Sequence, residues 1–311
     1  MGFEKAGVES FAGRIADSGK HPSRKGGELK TGLVLEGGSR QTIFTAGVLD
    51  VLMDEGIEFP YIGGVSAGGH AAMNFVTRQQ GRLRHIIMPT KLQQGKKHAN
   101  RILDGIQKES HALHYEAAYG DMPFHFDAFF RSNVECEFTV TCCETGRPQY
   151  LSEKESERRL LDIINASCSV PMLFPIAQIG DLHYVDGCVT DPIPFRRAFA
   201  RGCDKLVAIS THYPGETVTD FSKFRAVLSV MFRHKYLDLY RALMVRYRRY
   251  ERMFVEMEKL EKEGKLFLMR PEKDLCDLFE TDLGRLNDSY FHGVDYARRR
   301  LKSLREFLNC G

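Results

Sequence analysis

One serine occupies the position that a catalytic nucleophile requires, at the centre of Gly64-Val65-Ser66-Ala67-Gly68. The branched and aromatic run 59–65 before it predicts a buried strand, and the run from Ala67 predicts a helix that ends before Gly81. A strand, a sharp turn with glycines two residues either side of a serine, and a helix form a nucleophile elbow. The helix N-terminus would offer N–H groups to an oxyanion beside Ser66. An ordinary glycine-rich turn between a strand and a helix has the same pattern. The neighbouring segments are therefore needed to distinguish it from a nucleophile elbow.

A glycine-rich loop precedes this serine by about one strand and one helix. The run 31–35 predicts a strand, Glu36-Gly37-Gly38-Ser39-Arg40-Gln41 a loop, and 42–55 a helix with Asp50 and Asp54 opposite its apolar face. Consecutive N–H groups at such a loop can hold a phosphate or the oxyanion of an acyl intermediate. The loop matches neither G-x-G-x-x-G nor a P-loop, so a phosphate site has no support from sequence.

A carboxylate that could serve as general base follows a later predicted strand. Asp186 and Gly187 come directly after the run 182–185, and the sequence beyond Gly187 is a weak candidate for a returning strand. A serine hydroxyl is a poor nucleophile until an adjacent base takes its proton. Asp186 on such a turn is therefore a candidate base for Ser66.

Taken together, the Gly-Gly loop, the GxSxG turn and the Asp-Gly turn resemble the patatin-like phospholipase family, in particular its bacterial single-chain branch. The resemblance runs from about Thr31 to Tyr213 and includes Ala166-Ser167-Cys168-Ser169-Val170-Pro171 and Asp191-Pro192-Ile193-Pro194. It implies a three-layer α/β/α fold with a central, mostly parallel sheet. It also implies hydrolysis of carboxylic esters of lipids, with no metal ion or organic cofactor.

The resemblance assigns roles residue by residue. Ser66 matches the nucleophile and Asp186 the base of a catalytic dyad without histidine, acting through an acyl-Ser66 intermediate. The N–H groups of Gly37, Gly38 and Ser39 would form the oxyanion hole. The remaining motif glycines are Gly64, Gly68 and Gly187.

The oxyanion loop departs from the family pattern, Gly-Gly-Gly-x-Arg/Lys-Gly. Ser39, Gln41 and Thr42 replace the third glycine, the basic residue and the last glycine, and Arg40 stands one position early. If residue 39 needs a positive φ, serine there costs about 1–3 kcal/mol of strain. An alternative function is therefore a catalytically impaired lipid-binding or regulatory protein on the same fold. A third is a Ser-Asp-His esterase, which would use His212, His234 or His292.

Length and composition indicate one sizeable domain with an appendage, since the chain has 311 residues of which 43% are hydrophobic. Strands predicted near 31–36, 59–65, 136–142 and 204–210 alternate with helices, which is typical of an α/β sheet. We also expect a hairpin over 137–151, followed by a helix 153–165 capped by Ser152 with Glu155 in a capping box. The expected division is a flexible leader 1–30, a catalytic domain 31–215 and a mostly helical region 216–311.

The C-terminal region carries a basic stretch with interleaved apolar residues. Between Arg225 and Arg252 there are eight Lys and Arg residues against two acidic ones. One interpretation is a helical hairpin that packs its apolar face on the catalytic domain and exposes a basic face. The other is a surface that contacts anionic lipid, giving peripheral membrane association. No RRM or KH motif supports nucleic-acid binding, and the oligomeric state is not predicted.

Cysteines and histidines suggest no metal site in the sequence. Eight cysteines without an apolar signal segment predict reduced thiols in a cytoplasmic protein, with Cys142, Cys143 and Cys168 as small core residues. No cysteine pair has zinc spacing. We interpret His111 and His114 as surface histidines, and His70 as at most a supporting residue near Ser66.

Overall fold

A computed structural model of the chain describes residues 29–89, 114, 117–216 and 218–309. The expected leader 1–30 therefore lies outside the described residues, except for its last two positions. Within the described residues the chain folds around one eight-stranded sheet.

The strands of the sheet are β1 (Thr31–Leu35), β2 (Tyr61–Val65), β3 (Glu135–Cys142), β4 (Arg147–Leu151), β5 (Ala177–Ile179), β6 (Leu182–Asp186), β7 (Lys205–Ile209) and β8 (Leu266–Met269). Their order is β5-β6-β3-β2-β1-β7-β8, and β4 pairs with β3 beside this path. The five strands β3, β2, β1, β7 and β8 run parallel, whereas the β3–β4, β3–β6 and β5–β6 pairs are antiparallel.

Helices connect and cover these strands. The α-helices are α1 (Thr42–Asp54), α2 (Ala67–Val76), α3 (Arg82–Ile87), α4 (Phe126–Arg131), α5 (Glu157–Ser167), α6 (Phe195–Ala200), α7 (Arg225–Leu228), α8 (Leu237–Lys262) and α9 (Leu283–Asn309). Short 3-10 turns precede α1 and follow β6 and β7, at 39–41, 187–189 and 221–224, and a π-helical turn spans 229–233.

The buried side chains divide between the two faces of the sheet. Alternate residues of a strand point to opposite faces, and in β1 Leu33 and Leu35 pack with α1, α2, α5 and α9, while Val34 packs with α6 and α8. Both faces are thus covered by helices, which explains why the parallel strands β1, β2, β7 and β8 are mostly apolar. The predicted three-layer α/β/α fold with a mostly parallel sheet is confirmed.

Two local predictions are wrong. The cap of α5 is Ser156, whose hydroxyl accepts from Arg159 N–H, and not Ser152. The helix begins later than predicted because the Glu153 carboxylate accepts hydrogen bonds from the N–H groups of residues 154, 155 and 156, which form a separate turn before the helix. Asp50 is buried rather than on a solvent face, since α9 covers that side of α1 and Tyr290 donates to its carboxylate.

The C-terminal region contributes to the sheet itself. Strand β8 pairs in parallel with β7, with Leu206 opposite Leu266. Helix α9 crosses α1 at Gly47 and Gly293, where a Cβ on Gly47 would lie 2.2 Å from the Tyr290 carbonyl oxygen. None of the described helices is both long and apolar enough to cross a bilayer.

Candidate active site

Strand register brings Ser66 and Asp186 to the same edge of the sheet, although 120 residues separate them. Val65, the last residue of β2, is opposite Thr139 of β3, and the next residue, Val140, is opposite Asp186 at the end of β6. Ser66 therefore lies one residue beyond the Val65–Thr139 pair, and Asp186 lies on the other side of β3 in the pair with the next residue, Val140. Gly187 continues past β3 so closely that a Cβ there would lie 2.3 Å from the Thr139 carbonyl oxygen.

Ser66 has the strained backbone of an elbow, with φ 54° and ψ −127°. This conformation is costly for a residue with a Cβ and exposes the side chain between β2 and α2. The flanking glycines allow the tight turn, because a Cβ on Gly64 would lie 2.5 Å from the Gly68 carbonyl oxygen and one on Gly68 would lie 2.5 Å from that of Leu35. The predicted strand–turn–helix geometry is present.

Ser167 holds the elbow in place. The Ser66 N–H donates to Ser167 Oγ at 2.8 Å, and the Ser167 hydroxyl donates to the Thr139 carbonyl oxygen at 2.8 Å. Ser167 is fully buried at the end of α5. This role could not be predicted from the sequence, because nothing local to Ser167 indicates a partner 101 residues away.

Asp186 is completely buried. Its Oδ1 accepts from Cys188 N–H at 2.8 Å, and its Oδ2 has no hydrogen bond of standard geometry among the described residues. Burial raises the pKa of Asp186 above its usual range, and the Cys188 N–H and the nearby Ser66 hydroxyl offset part of that rise. A desolvated carboxylate with one open oxygen beside a serine hydroxyl is a competent proton acceptor.

The glycine-rich loop lies against Ser66. A Cβ on Gly37 would be 2.8 Å from Ser66 Cβ and 3.5 Å from its Oγ, so only glycine leaves this space open. Among the described residues, the Gly37 and Gly38 N–H groups donate no hydrogen bond. Free N–H groups next to a nucleophilic oxygen are the requirement for an oxyanion hole.

The departures from the family pattern have different consequences. Ser39 has φ 48°, a left-handed conformation that favours glycine, so serine there is strained. Thr42 has φ −61°, which any residue adopts, so threonine in place of glycine carries no backbone cost. Gln41 is buried.

A buried acid–base pair lies behind this loop. Glu36 Oε1 lies 2.9 Å from His212 Nδ1, and its Oε2 accepts from the Ser210 hydroxyl and from Thr211 N–H. The Thr211 hydroxyl in turn donates to the Gly37 carbonyl oxygen at 2.7 Å. Burial acts to lower the pKa of His212, but the Glu36 carboxylate raises it overall.

None of the three candidate triad histidines hydrogen-bonds Ser66 or Asp186 within the described part of the chain. The ring of His212 contacts Glu36 and Tyr250. His292 accepts from Glu272 N–H and packs on Phe44. His234 is exposed just before α8.

The expectations for the cysteines and histidines near the site are correct in part. Cys142 and Cys143 are buried core residues, but Cys168 is only half-buried and its thiol interacts with the Ser66 hydroxyl. His114 is not a surface histidine: it is half-buried and stacks on His70. His111 lies outside the described residues.

The basic residues of the stretch 225–252 are not all exposed. Arg246 and Arg249 of α8 are half-buried, and their guanidinium groups donate to the carbonyl oxygens of Cys188, Val189 and Thr190, just after Asp186. The other basic residues of the first turns are exposed, namely Arg225, Arg233, Lys235 and Arg241. Two of the eight basic residues therefore do not lie on a solvated face, because Arg246 and Arg249 brace the turn after Asp186.

The chain is similar to known proteins in three comparisons. A family model described as patatin-like phospholipase matches residues 33–199, and one described as a domain of unknown function matches residues 236–309. The uncharacterized protein YjjU of Escherichia coli (strain K12) is 29% identical over 204 residues, which cover 64% of this chain and 56% of YjjU. The match thus spans little more than half the length of that relative. The crystal structure of VipD from Legionella pneumophila aligns with a TM-score of 0.49 and 12% identity, over 89% of this chain and 67% of VipD.

Proposed function

The chain belongs to the patatin-like phospholipase family, and from this premise we propose that it is a serine hydrolase that cleaves carboxylic esters of lipids with a Ser66–Asp186 dyad. The family supports a lipid hydrolase in general. The observation that carries the finer proposal is the completely buried Asp186 carboxylate, which has one open oxygen beside a serine held at φ 54°. The proposed machinery lies within residues 31–215.

Acylation begins when Asp186 Oδ2 takes the Ser66 proton while Oγ attacks the ester carbonyl carbon. The resulting oxyanion accepts from the free N–H groups of Gly37 and Gly38, with Ser39 N–H as the third proposed donor. The intermediate then breaks its bond to the alcohol oxygen, which receives the proton from Asp186. This step leaves an acyl-Ser66 ester and a free alcohol.

Deacylation reverses the roles with water. Asp186 takes a proton from a water molecule, whose oxygen attacks the acyl-Ser66 carbonyl carbon. Collapse of the second tetrahedral intermediate returns the proton to Ser66 Oγ and releases a fatty acid. The raised pKa of Asp186 suits a group that must accept and give back one proton in each step.

A lipid interface would explain an exposed apolar strip beside the site. Phe224, Val227, Val230 and Met231 follow helical spacing on one face, and Val230 is 83% exposed. The opposite face of the same segment, Leu228 and Phe232, packs near Val189 after the Asp186 turn. The exposed basic residues Arg225, Arg233 and Lys235 flank the strip. Apolar insertion with a basic rim is the chemistry of docking on anionic lipid.

Vesicle flotation tests this docking surface. The chain should bind phosphatidylglycerol vesicles more tightly than phosphatidylcholine vesicles, and salt should weaken the binding. Val230→Asp should weaken it about tenfold, because it removes one apolar anchor and adds a negative charge. Val255→Asp is the matched control, since Val255 is 69% exposed on α8 but lies among acidic residues. Equal loss in both variants would contradict the assignment of this surface.

The second candidate function, an impaired lipid-binding protein, is favoured by the strain at Ser39. Labelling with an alkyl fluorophosphonate in mixed micelles separates the two candidates, since only an activated serine displaces the fluoride. We expect one label on Ser66, none in Ser66→Ala, and full labelling in Ser303→Ala, which changes an exposed serine of α9. Asp186→Asn should slow labelling about 10²–10⁴-fold. Folded protein that binds lipid but takes no label would support the impaired binding protein.

A further inference from the structure

Two histidines and a cysteine converge beside the proposed dyad. His70 Nε2 lies 2.9 Å from His114 Nδ1, and the two rings stack with centroids 5.0 Å apart. Cys168 completes the cluster, with the three candidate ligand atoms within 4.8 Å of one another. The three residues come from distant parts of the sequence, so no metal-binding motif with a characteristic spacing predicts the cluster.

The donor atoms determine which cation could bind there. Two imidazole nitrogens and one thiolate sulfur are zinc ligands, whereas Mg²⁺ and Ca²⁺ require oxygen ligands. With Zn–N near 2.1 Å and Zn–S near 2.3 Å, two nitrogens and one sulfur in tetrahedral positions stand roughly 3.4–3.6 Å apart. The three atoms lie within 4.8 Å of one another and the two nitrogens are 2.9 Å apart, so an ion requires the imidazole nitrogens to separate by roughly 0.5 Å.

Two of the ligands are held by the same elements that hold the nucleophile. His70 follows Ser66 by one turn on α2. Cys168 follows Ser167, the residue that binds the Ser66 N–H, and its side chain interacts with the Ser66 hydroxyl. An ion held here would thus lie next to the oxygen that attacks the ester.

We propose that His70, His114 and Cys168 form a reversible zinc site whose occupation inhibits the hydrolase. Binding replaces the Cys168 S–H bond with a Zn–S bond, and the released proton goes to solvent; the fourth position is left to water. The inhibitory part rests on the proposed function, because it supposes that Ser66 is the nucleophile. The site itself rests on geometry alone.

Cobalt titration of the full chain, after treatment with a chelator, tests the site without reference to activity. We expect the visible bands of tetrahedral Co²⁺ and a thiolate-to-cobalt charge-transfer band, both removed by added Zn²⁺. His70→Gln and Cys168→Ala should weaken binding at least about tenfold. His85→Gln is the control, since His85 is an exposed histidine on α3. Absence of the charge-transfer band, or its persistence in Cys168→Ala, would overturn the site and leave the two histidines as a hydrogen-bonded pair.

Fluorophosphonate labelling with ZnCl₂ or with chelator tests the inhibition. Zn²⁺ should slow labelling of Ser66 at least about tenfold in the parent chain and much less in His70→Gln. Zinc binding with unchanged labelling would overturn the inhibitory role. Cobalt binding in a chain that never takes the label would refute the proposed function while supporting the site, so the two failures are distinguishable.

Discussion

The N–H of Ser66 donates to Oγ of Ser167, and through it the strained turn after β2 is tied to both the end of α5 and the backbone of β3. The proposed nucleophile is thus positioned by a hydroxyl rather than by its own helix alone. Since Cys168 and Ser169 follow at once, and the Ser169 carbonyl oxygen accepts from Asp186 N–H, one short segment positions both members of the proposed dyad.

Removing this hydroxyl should therefore affect both fold and rate. Ser167→Ala leaves the Ser66 N–H without an acceptor, which should cost about 1–3 kcal/mol of unfolding free energy. A displaced nucleophile should lower kcat by up to about 10²-fold. Ester turnover and urea unfolding measure the two effects.

Ser169→Ala is the matched control for that variant. The Ser169 hydroxyl is also buried, but it donates within its own helix end, to the Asn165 carbonyl oxygen. Its removal should leave kcat nearly unchanged. Equal kcat losses in the two variants would refute a positioning role for Ser167.

The strain at Ser39 predicts a stabilising substitution. Ser39→Gly should raise the unfolding free energy by about 1 kcal/mol, because glycine adopts the φ of 48° without steric cost. Ser303→Gly, at an exposed helical position of α9, should lower it by about 0.5–1 kcal/mol. Thermal unfolding compares the two, and a destabilised Ser39→Gly variant would mean that the loop tolerates serine without strain.

The oxyanion assignment predicts that Gly38 accepts no side chain. A Cβ there would lie 2.6 Å from Thr211 Oγ1 at a φ of 149°, so Gly38→Ala must displace the loop. Displacing one oxyanion donor should lower kcat about 10²–10³-fold. Gly56→Ala is the control, since its φ is also positive but open space surrounds it. Measuring kcat for ester hydrolysis by both variants tests this assignment. A Gly38→Ala variant with normal kcat would exclude this loop from the oxyanion hole.

The Glu36–His212 pair predicts a pH dependence of stability. The pKa of His212 is raised in the fold, so its contribution is fully present below its unfolded pKa of about 6.5 and is lost as the pH rises through the folded pKa. Glu216, Arg246 and Tyr250, which also face this ring, remain unchanged in a single variant.

His212→Asn isolates that contribution, because asparagine keeps a donor near Glu36 but cannot take the charge. The parent chain should be more stable than the variant by about 1–3 kcal/mol near pH 5.5, with the gap narrowing towards pH 8.5. Urea unfolding across this pH range measures the difference in unfolding free energy between the parent chain and the variant. A difference that does not change with pH would contradict a charged Glu36–His212 pair. Labelling of Ser66 should fall less than about tenfold, against the far larger loss that a catalytic histidine would give.

The sequence predicted the local structure of the candidate site wherever the signal was local. The elbow at Ser66 depends on residues within one turn of it, and the Gly37-Gly38 loop likewise follows its own strand. The pairing of Ser66 with Asp186 required the family resemblance, because the register of β6 against β3 is not written in either segment.

Features that depend on tertiary contacts were missed for the same reason. The four apolar residues of β8 are too few to distinguish a strand from a buried loop. The burial of Asp50 depends on Tyr290, 240 residues later. The approach of His70, His114 and Cys168 depends on how α2 and α5 are placed, which no spacing of histidines and cysteines encodes.

The contact between the oxyanion loop and the C-terminal region has a consequence for biosynthesis. Arg40 N–H donates to the Leu278 carbonyl oxygen, and α9 buries the helix that the loop leads into. A nascent chain that has emerged from the ribosome only as far as residue 200 already contains Ser66 and Asp186, yet lacks the segment that holds the loop. The proposed hydrolytic activity should therefore arise only after α9 has been synthesised and has folded onto α1.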